Sequence, residues 1–143
     1  EVDPADGYSI IQSSETVYLA DSGEQSVITV RFENMRNGFL TIFSTPSTAK
    51  CGSISSVVPM VTHADHTEHD TMVFITEQGV ADIRGLSPVK RAKAIINNCA
   101  HPDFRPQLLE YLRFAQQKNA HMPIDLAHCF DMQKKFYETG TML

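Results

Sequence analysis

Residues Ser53–Gly85 read SISSVVPMVTHADHTEHDTMVFITEQGVADIRG, and this stretch divides the chain. His63, His66 and His69 stand with Asp65, Glu68 and Asp70 between two apolar runs, Val57–Val61 and Met72–Ile75. The simplest reading of those runs is two strands joined by a polar loop. Upstream the chain reads as strands and downstream as helices, the order of an α/β or α+β domain. Any chemistry carried by the chain is expected at the junction, where Thr76-Glu77-Gln78-Gly79 closes a strongly apolar strand.

Working outward, Thr16–Ala20 is a short strand candidate ending in the turn residues Asp21-Ser22-Gly23. Ser26–Phe32 alternates, with Ile28, Val30 and Phe32 on one face and Val27 the exception on the other. Phe39–Phe43 (FLTIF) is more fully apolar, broken only by Thr41, and predicts an interior strand. The small polar segment Ser44–Gly52 after it fits either a plain loop or an anion seat at a strand end. On the other side, Ser87-Pro88 opens a helix, with serine placed to cap it and proline suited to the first turn. Val89, Ala92, Ile95, Ile96 and Cys99 give that helix one apolar face, with Lys90, Arg91 and Lys93 outside. A second helix follows His101–Pro106 with Asp103 as its cap and Leu108, Leu109, Leu112 and Ala115 or Gln116 as its buried stripe. A third is expected over Pro123–Tyr137, stopped by Gly140.

The chain has 143 residues and a net charge of -5, enough length for one core and too little basic surface for a general nucleic-acid binder. Its three cysteines, Cys51, Cys99 and Cys129, have neither zinc nor redox spacing and are expected as buried or half-buried thiols. No run is long and apolar enough to cross a membrane. The histidine segment leaves two readings open: a zinc or iron site, or a loop whose rings and acids bond one another or line a pocket. The HExxH pattern is missing, and no metal is expected. Glu77 follows Val73, Phe74 and Ile75. A carboxylate there is either partly desolvated, with a raised pKa or a fixed acceptor role, or simply solvated in a turn. Gly79 suits a positive backbone angle or close approach by a partner group. Arg84 can pair with Asp82 or Glu77, or face an anion.

Together, Pro46–Lys50 (PSTAK), Ser53–Met60 (SISSVVPM), His63–Asp70 (HADHTEHD), Thr76–Gly79 (TEQG), Ala81-Asp82 and Arg84-Gly85 resemble the C-terminal domain of the acetyl-CoA hydrolase/transferase family. The likeness is to its branch of succinyl-CoA:acetate CoA-transferases and acetyl-CoA hydrolases. Ala100–Asp103, Leu108-Leu109 and the Gly140–Leu143 terminus extend it, so that it covers roughly residues 36–143. The resemblance implies an α/β fold with an open mixed sheet flanked by helices, strands first and helices after. Residues 1–143 are expected to be one domain, the C-terminal part of a longer enzyme, with residues 1–35 departing from the family pattern.

The resemblance also implies transfer of coenzyme A between a short-chain acyl-CoA and a carboxylate, or hydrolysis of acetyl-CoA. Such an enzyme works through an acyl-enzyme anhydride and a glutamyl-CoA thioester, with backbone N–H groups holding the developing oxyanion. It assigns Glu77 a supporting role near CoA, distinct from the nucleophile, and places Ser47, Lys50, Gln78 and Gly79 on the cofactor side. CoA and acyl-CoA enter as substrates, with no permanently bound cofactor. The implied partners are acyl-CoA, the carboxylate, the N-terminal domain of the same enzyme and a second copy in a homodimer. The implied compartment is the cytoplasm, or the mitochondrial matrix in a eukaryote.

Two departures bear on activity. The family's nucleophilic glutamate lies upstream of the matched region, and Glu15, Glu24 and Glu33 lack its setting. Where the family carries a glycine-rich turn, this chain has Thr29–Asn34 (TVRFEN). Branched residues do not replace glycines used for close backbone approach. The chain alone is therefore expected to be incomplete for catalysis. Two other classes stand beside the leading one: a catalytically silent CoA-binding or assembly module, and a metallohydrolase built on the three histidines.

Overall fold

The computed structural model describes residues 17–18, 24–31, 39–61, 63–64, 71–117 and 122–143. Seven strands precede three helices among these residues. The strands are β1 (Val17–Tyr18), β2 (Glu24–Arg31), β3 (Phe39–Ser44), β4 (Thr48–Ala49), β5 (Ile54–Ser55), β6 (Val73–Thr76) and β7 (Gly79–Asp82). The helices are α1 (Pro88–Cys99), α2 (Arg105–Gln116) and α3 (Asp131–Thr139), with a 3-10 turn at Pro102–Phe104. The fold is α/β, as expected.

The main sheet has five strands in the order β1-β2-β3-β6-β7. Its pairings are antiparallel except β3 with β6, which run parallel with Ile42 opposite Val73 and Ser44 opposite Ile75. The apolar run Phe39–Phe43 thus occupies the central strand, where both edges are paired. The segment Thr29–Arg31 forms the end of β2 opposite Phe39–Thr41.

Apolar burial forms two adjoining clusters, both served by α1. Ile96 and Ala100 pack with Phe104, Leu108, Leu112, Met132 and Met142. Cys99 faces the sheet instead, with Ala81 and Ile83, and Phe74, Ala94 and Ile95 packed around them. The helix therefore carries two apolar faces rather than the one its spacing suggests.

Several local expectations are corrected. Val57–Val61 is not a strand: Pro59 removes a ladder donor, and Val57 and Val58 pack sideways onto the helical cluster. A two-stranded hairpin, β4 with β5, lies just before it. Ser87 occupies the cap position of α1, yet its side chain makes no capping bond. Arg91 is half-buried, its Nε donating to the Leu86 carbonyl at 2.9 Å. Asp103 does not cap α2; its N–H is received by the His101 ring at 3.4 Å. Leu109 is exposed, and Ala115 rather than Gln116 completes the stripe.

The third helix starts at Asp131, eight residues later than Pro123. Asp125 explains the delay, because its side chain accepts from the Ala127 N–H at 3.3 Å and meets His128 Nδ1 at 2.7 Å. Such local bonds compete with helix hydrogen bonding. Gly140 ends the helix as expected, with φ +80° and its N–H on the Phe136 carbonyl at 2.8 Å. Cys99 and Cys129 are buried, whereas Cys51 is exposed.

Candidate active site

β3 and β6 run parallel, so the segments that follow them emerge at the same edge of the sheet. The Thr45 N–H donates to the Ile75 carbonyl at 3.1 Å and carries the pairing one residue past β3. Ser47 then arrives beside the turn that follows β6. Ligands of open α/β sheets collect at this end of parallel strands.

Glu77 and Gln78 form the two-residue loop between β6 and β7, with Thr76 opposite Gly79. The Ser47 N–H donates to Glu77 Oε2 at 2.9 Å, and the Ser47 hydroxyl donates to Oε1. Gln78 Nε2 reaches the same Oε1 at 3.0 Å. Ser47 is completely buried, while Glu77 keeps an exposed edge. Burial raises the carboxyl pKa, but the bonds from the Ser47 hydroxyl, Gln78 and the Ser47 N–H outweigh it and hold the group at about 2. Glu77 thus stands exposed in the turn with its carboxylate held by donors from Ser47 and Gln78, and its pKa is lowered rather than raised.

The turn is tied to α1 as well. The Thr76 hydroxyl donates to the Cys99 carbonyl at 2.9 Å and accepts the Gln78 N–H at 3.1 Å. That carbonyl belongs to the last turn of α1, where helix acceptors lack internal partners. Cys99 Sγ lies 3.6 Å from the Phe74 carbonyl and 3.7 Å from that of Gly79. Burial pushes this thiol pKa up. Gly79 has φ +151°, and a β-carbon there would stand 2.9 Å from the Asn98 carbonyl oxygen. Both properties anticipated for Gly79 are present, and the close neighbour is α1.

The structure thus gathers Ser47, Glu77, Gln78 and Gly79 at one place. Lys50 is directed elsewhere: it lies in the β4–β5 turn with φ +47°, and its Nζ sits 5.4 Å from the Phe136 ring centroid. Thr76 is the residue missed by sequence reasoning. Its signal was a Thr two positions before Gln78, the spacing of a hydroxyl-to-amide turn. Arg84 pairs with Asp82, Nη2 to Oδ2 at 2.6 Å, and the Arg84 bonds hold the Asp82 pKa at about 2. His66 and His69, with the acids beside them, lie outside the described residues, and His63 is exposed. Among the described residues no group of three or more His, Cys, Asp or Glu could hold a metal ion, and no helix is long and apolar enough to cross a membrane. A separate cavity of about 310 Å³, lined in part by Tyr111, Phe114 and His128, includes none of the turn residues.

The sequence matches the family described as acetyl-CoA hydrolase/transferase C-terminal domain over residues 7–112. It is similar to a succinyl-CoA:acetate CoA-transferase of Clostridium kluyveri, 55% identical over 108 residues, which are 75% of this chain and 20% of that protein. It is also similar to an acetyl-CoA hydrolase of Schizosaccharomyces pombe, 45% identical over 117 residues, covering 76% of this chain and 22% of the relative. A crystal structure of 4-hydroxybutyrate CoA-transferase from Porphyromonas gingivalis is 42% identical, covers 50% of this chain and 18% of that one, and superposes with a TM-score of 0.46. The chain spans about a fifth of the length of the curated relatives it matches.

Proposed function

Because the chain belongs to the acetyl-CoA hydrolase/transferase family, matching its C-terminal domain, we propose that it is one part of a longer enzyme acting on CoA thioesters. That enzyme moves CoA between a short-chain acyl-CoA and a carboxylate, or hydrolyses acetyl-CoA. Residues 1–143 act as its C-terminal domain, and the nucleophilic glutamate comes from the N-terminal domain. CoA enters as a substrate, with no resident cofactor. The assembly is a homodimer in the cytoplasm, or in the mitochondrial matrix of a eukaryote.

The observation that carries this reading is the Ser47–Glu77 clamp at the shared end of β3 and β6. A carboxylate held at about 2 has no proton to give at neutral pH and is a weak base. Its contribution is therefore a fixed negative acceptor. Ionised carboxylates offer about four lone-pair sites, of which Ser47 and Gln78 take three. Glu77 is exposed, and an ionised carboxylate there suits an amide N–H or hydroxyl of the pantetheine arm as donor. In this proposal Ser47 and Gln78 orient the acceptor and Gly79 sets the turn, while Lys50, directed at the Phe136 ring, takes no part.

The test is Glu77→Ala and Glu77→Gln in the full-length enzyme. Loss of a pre-oriented group at the reacting end should lower kcat/KM by about 10–100-fold. Unchanged transferase and hydrolase rates would remove Glu77 from the mechanism. Calorimetry of the chain with CoA and acetyl-CoA distinguishes retained cofactor recognition from a silent assembly role, for which no binding is expected.

A further inference from the structure

We infer that Thr76 is a positioning residue that fixes Glu77 by fastening its turn to the C-terminal end of α1. This rests on the reading of Glu77 as the supporting acceptor and adds how it is aimed. The two-residue turn begins on the exposed Glu77. Thr76 supplies two constraints through one oxygen. As a donor at 2.9 Å it ties the turn to the Cys99 carbonyl, and as an acceptor at 3.1 Å it fixes the Gln78 N–H.

The second bond sets where the Gln78 backbone lies, and so where its amide must stand to reach Glu77 at 3.0 Å. The first ties that geometry to α1, whose Ile96 and Cys99 are anchored in both apolar clusters. Asn98 confirms the closeness of the fit, since its carbonyl leaves no room for a β-carbon at Gly79. Valine at position 76 preserves shape and strand preference while deleting both bonds. Serine keeps the oxygen.

The experiment follows the side-chain carboxyl carbon of Glu77 by NMR as pH is lowered, in Thr76→Val, Thr76→Ser and the parent chain. Thr76→Val is expected to move the Glu77 titration up toward ordinary glutamate, and Thr76→Ser to restore it. If valine leaves the titration where it was, with the amide spectrum showing an intact fold, Thr76 does not position Glu77. If the valine variant does not fold, Thr76→Ala decides: it also deletes both bonds, its Glu77 titration must move up, and an unmoved titration overturns the assignment. This measurement requires no turnover. A positive titration result beside unchanged kcat/KM for Glu77→Ala in the full-length enzyme would refute the catalytic reading while leaving the positioning intact.

Discussion

The helical cluster and the Glu77 turn both meet α1 and are held by different forces. Phe104, Leu108 and Leu112 are almost wholly buried, and little more than shape and apolarity fixes them. The turn has an exposed carboxylate at its tip and is held by hydrogen bonds from Ser47, Thr76 and Gln78. Apolar burial is non-directional and tolerates small displacement. Hydrogen bonds are directional and weaken steeply with misalignment. A molecule that must aim one carboxylate gains from putting the first kind of force beneath the second.

That contrast is tested most severely at Phe104. Phe104→Ala should cost about 3–5 kcal/mol of stability, as truncation of a buried aromatic does, and should leave the Glu77 titration unchanged in the fraction that stays folded. Denaturant midpoints together with the NMR titration check both halves. Gly79→Ala comes next, at about 2–3 kcal/mol from backbone strain and overpacking. Here the substitution should disturb both regions, because the new β-carbon meets Asn98 of α1. A neutral effect in the same unfolding assay would show that the turn and helix are not in firm contact.

Ser47→Ala should cost less, about 0.5–1.5 kcal/mol, and its main signature is electrostatic. With the hydroxyl gone, the Glu77 pKa should rise from about 2. Since the folded pKa lies below the ordinary 4.5, the ionised carboxylate contributes stability above that value. The contribution fades as pH falls toward about 2. Acid unfolding of the parent and of Glu77→Gln should therefore converge over that window and differ above it. The smallest effect is expected at Arg84→Ala. Its partner Asp82 is exposed, as is Arg84 itself, and such surface pairs contribute little to stability. Its unfolding midpoint should match that of the parent, and a clear shift would reveal a structural role for the pair.

The elements that were legible are those with a local cause. Phe39–Phe43 announced a central strand by being apolar at every position but Thr41, and Gly140 announced a helix stop. The turn at Glu77 was readable from an apolar strand followed by Gln78-Gly79. Readings failed where a distant partner decided the outcome. Val57 and Val58 look like a strand in isolation, but the helical cluster takes their side chains. Leu109 fits the stripe of α2 by spacing, yet no neighbour covers its face fully, and it stays exposed. Asp125 delays α3 through bonds to Ala127 and His128 and through its N–H on the Tyr111 hydroxyl at 3.0 Å.

By itself the sequence determined the α/β class, the strand-then-helix order, the family resemblance and the turn at Glu77, because each is written in neighbouring residues. Tertiary structure alone decided that Ser47 would lie beneath that carboxylate and that Thr76 would fasten it to α1. Ser47 and Glu77 are separated by 30 positions in the chain. Only the parallel pairing of β3 with β6 brings their strand ends to one edge, and no local propensity encodes that meeting.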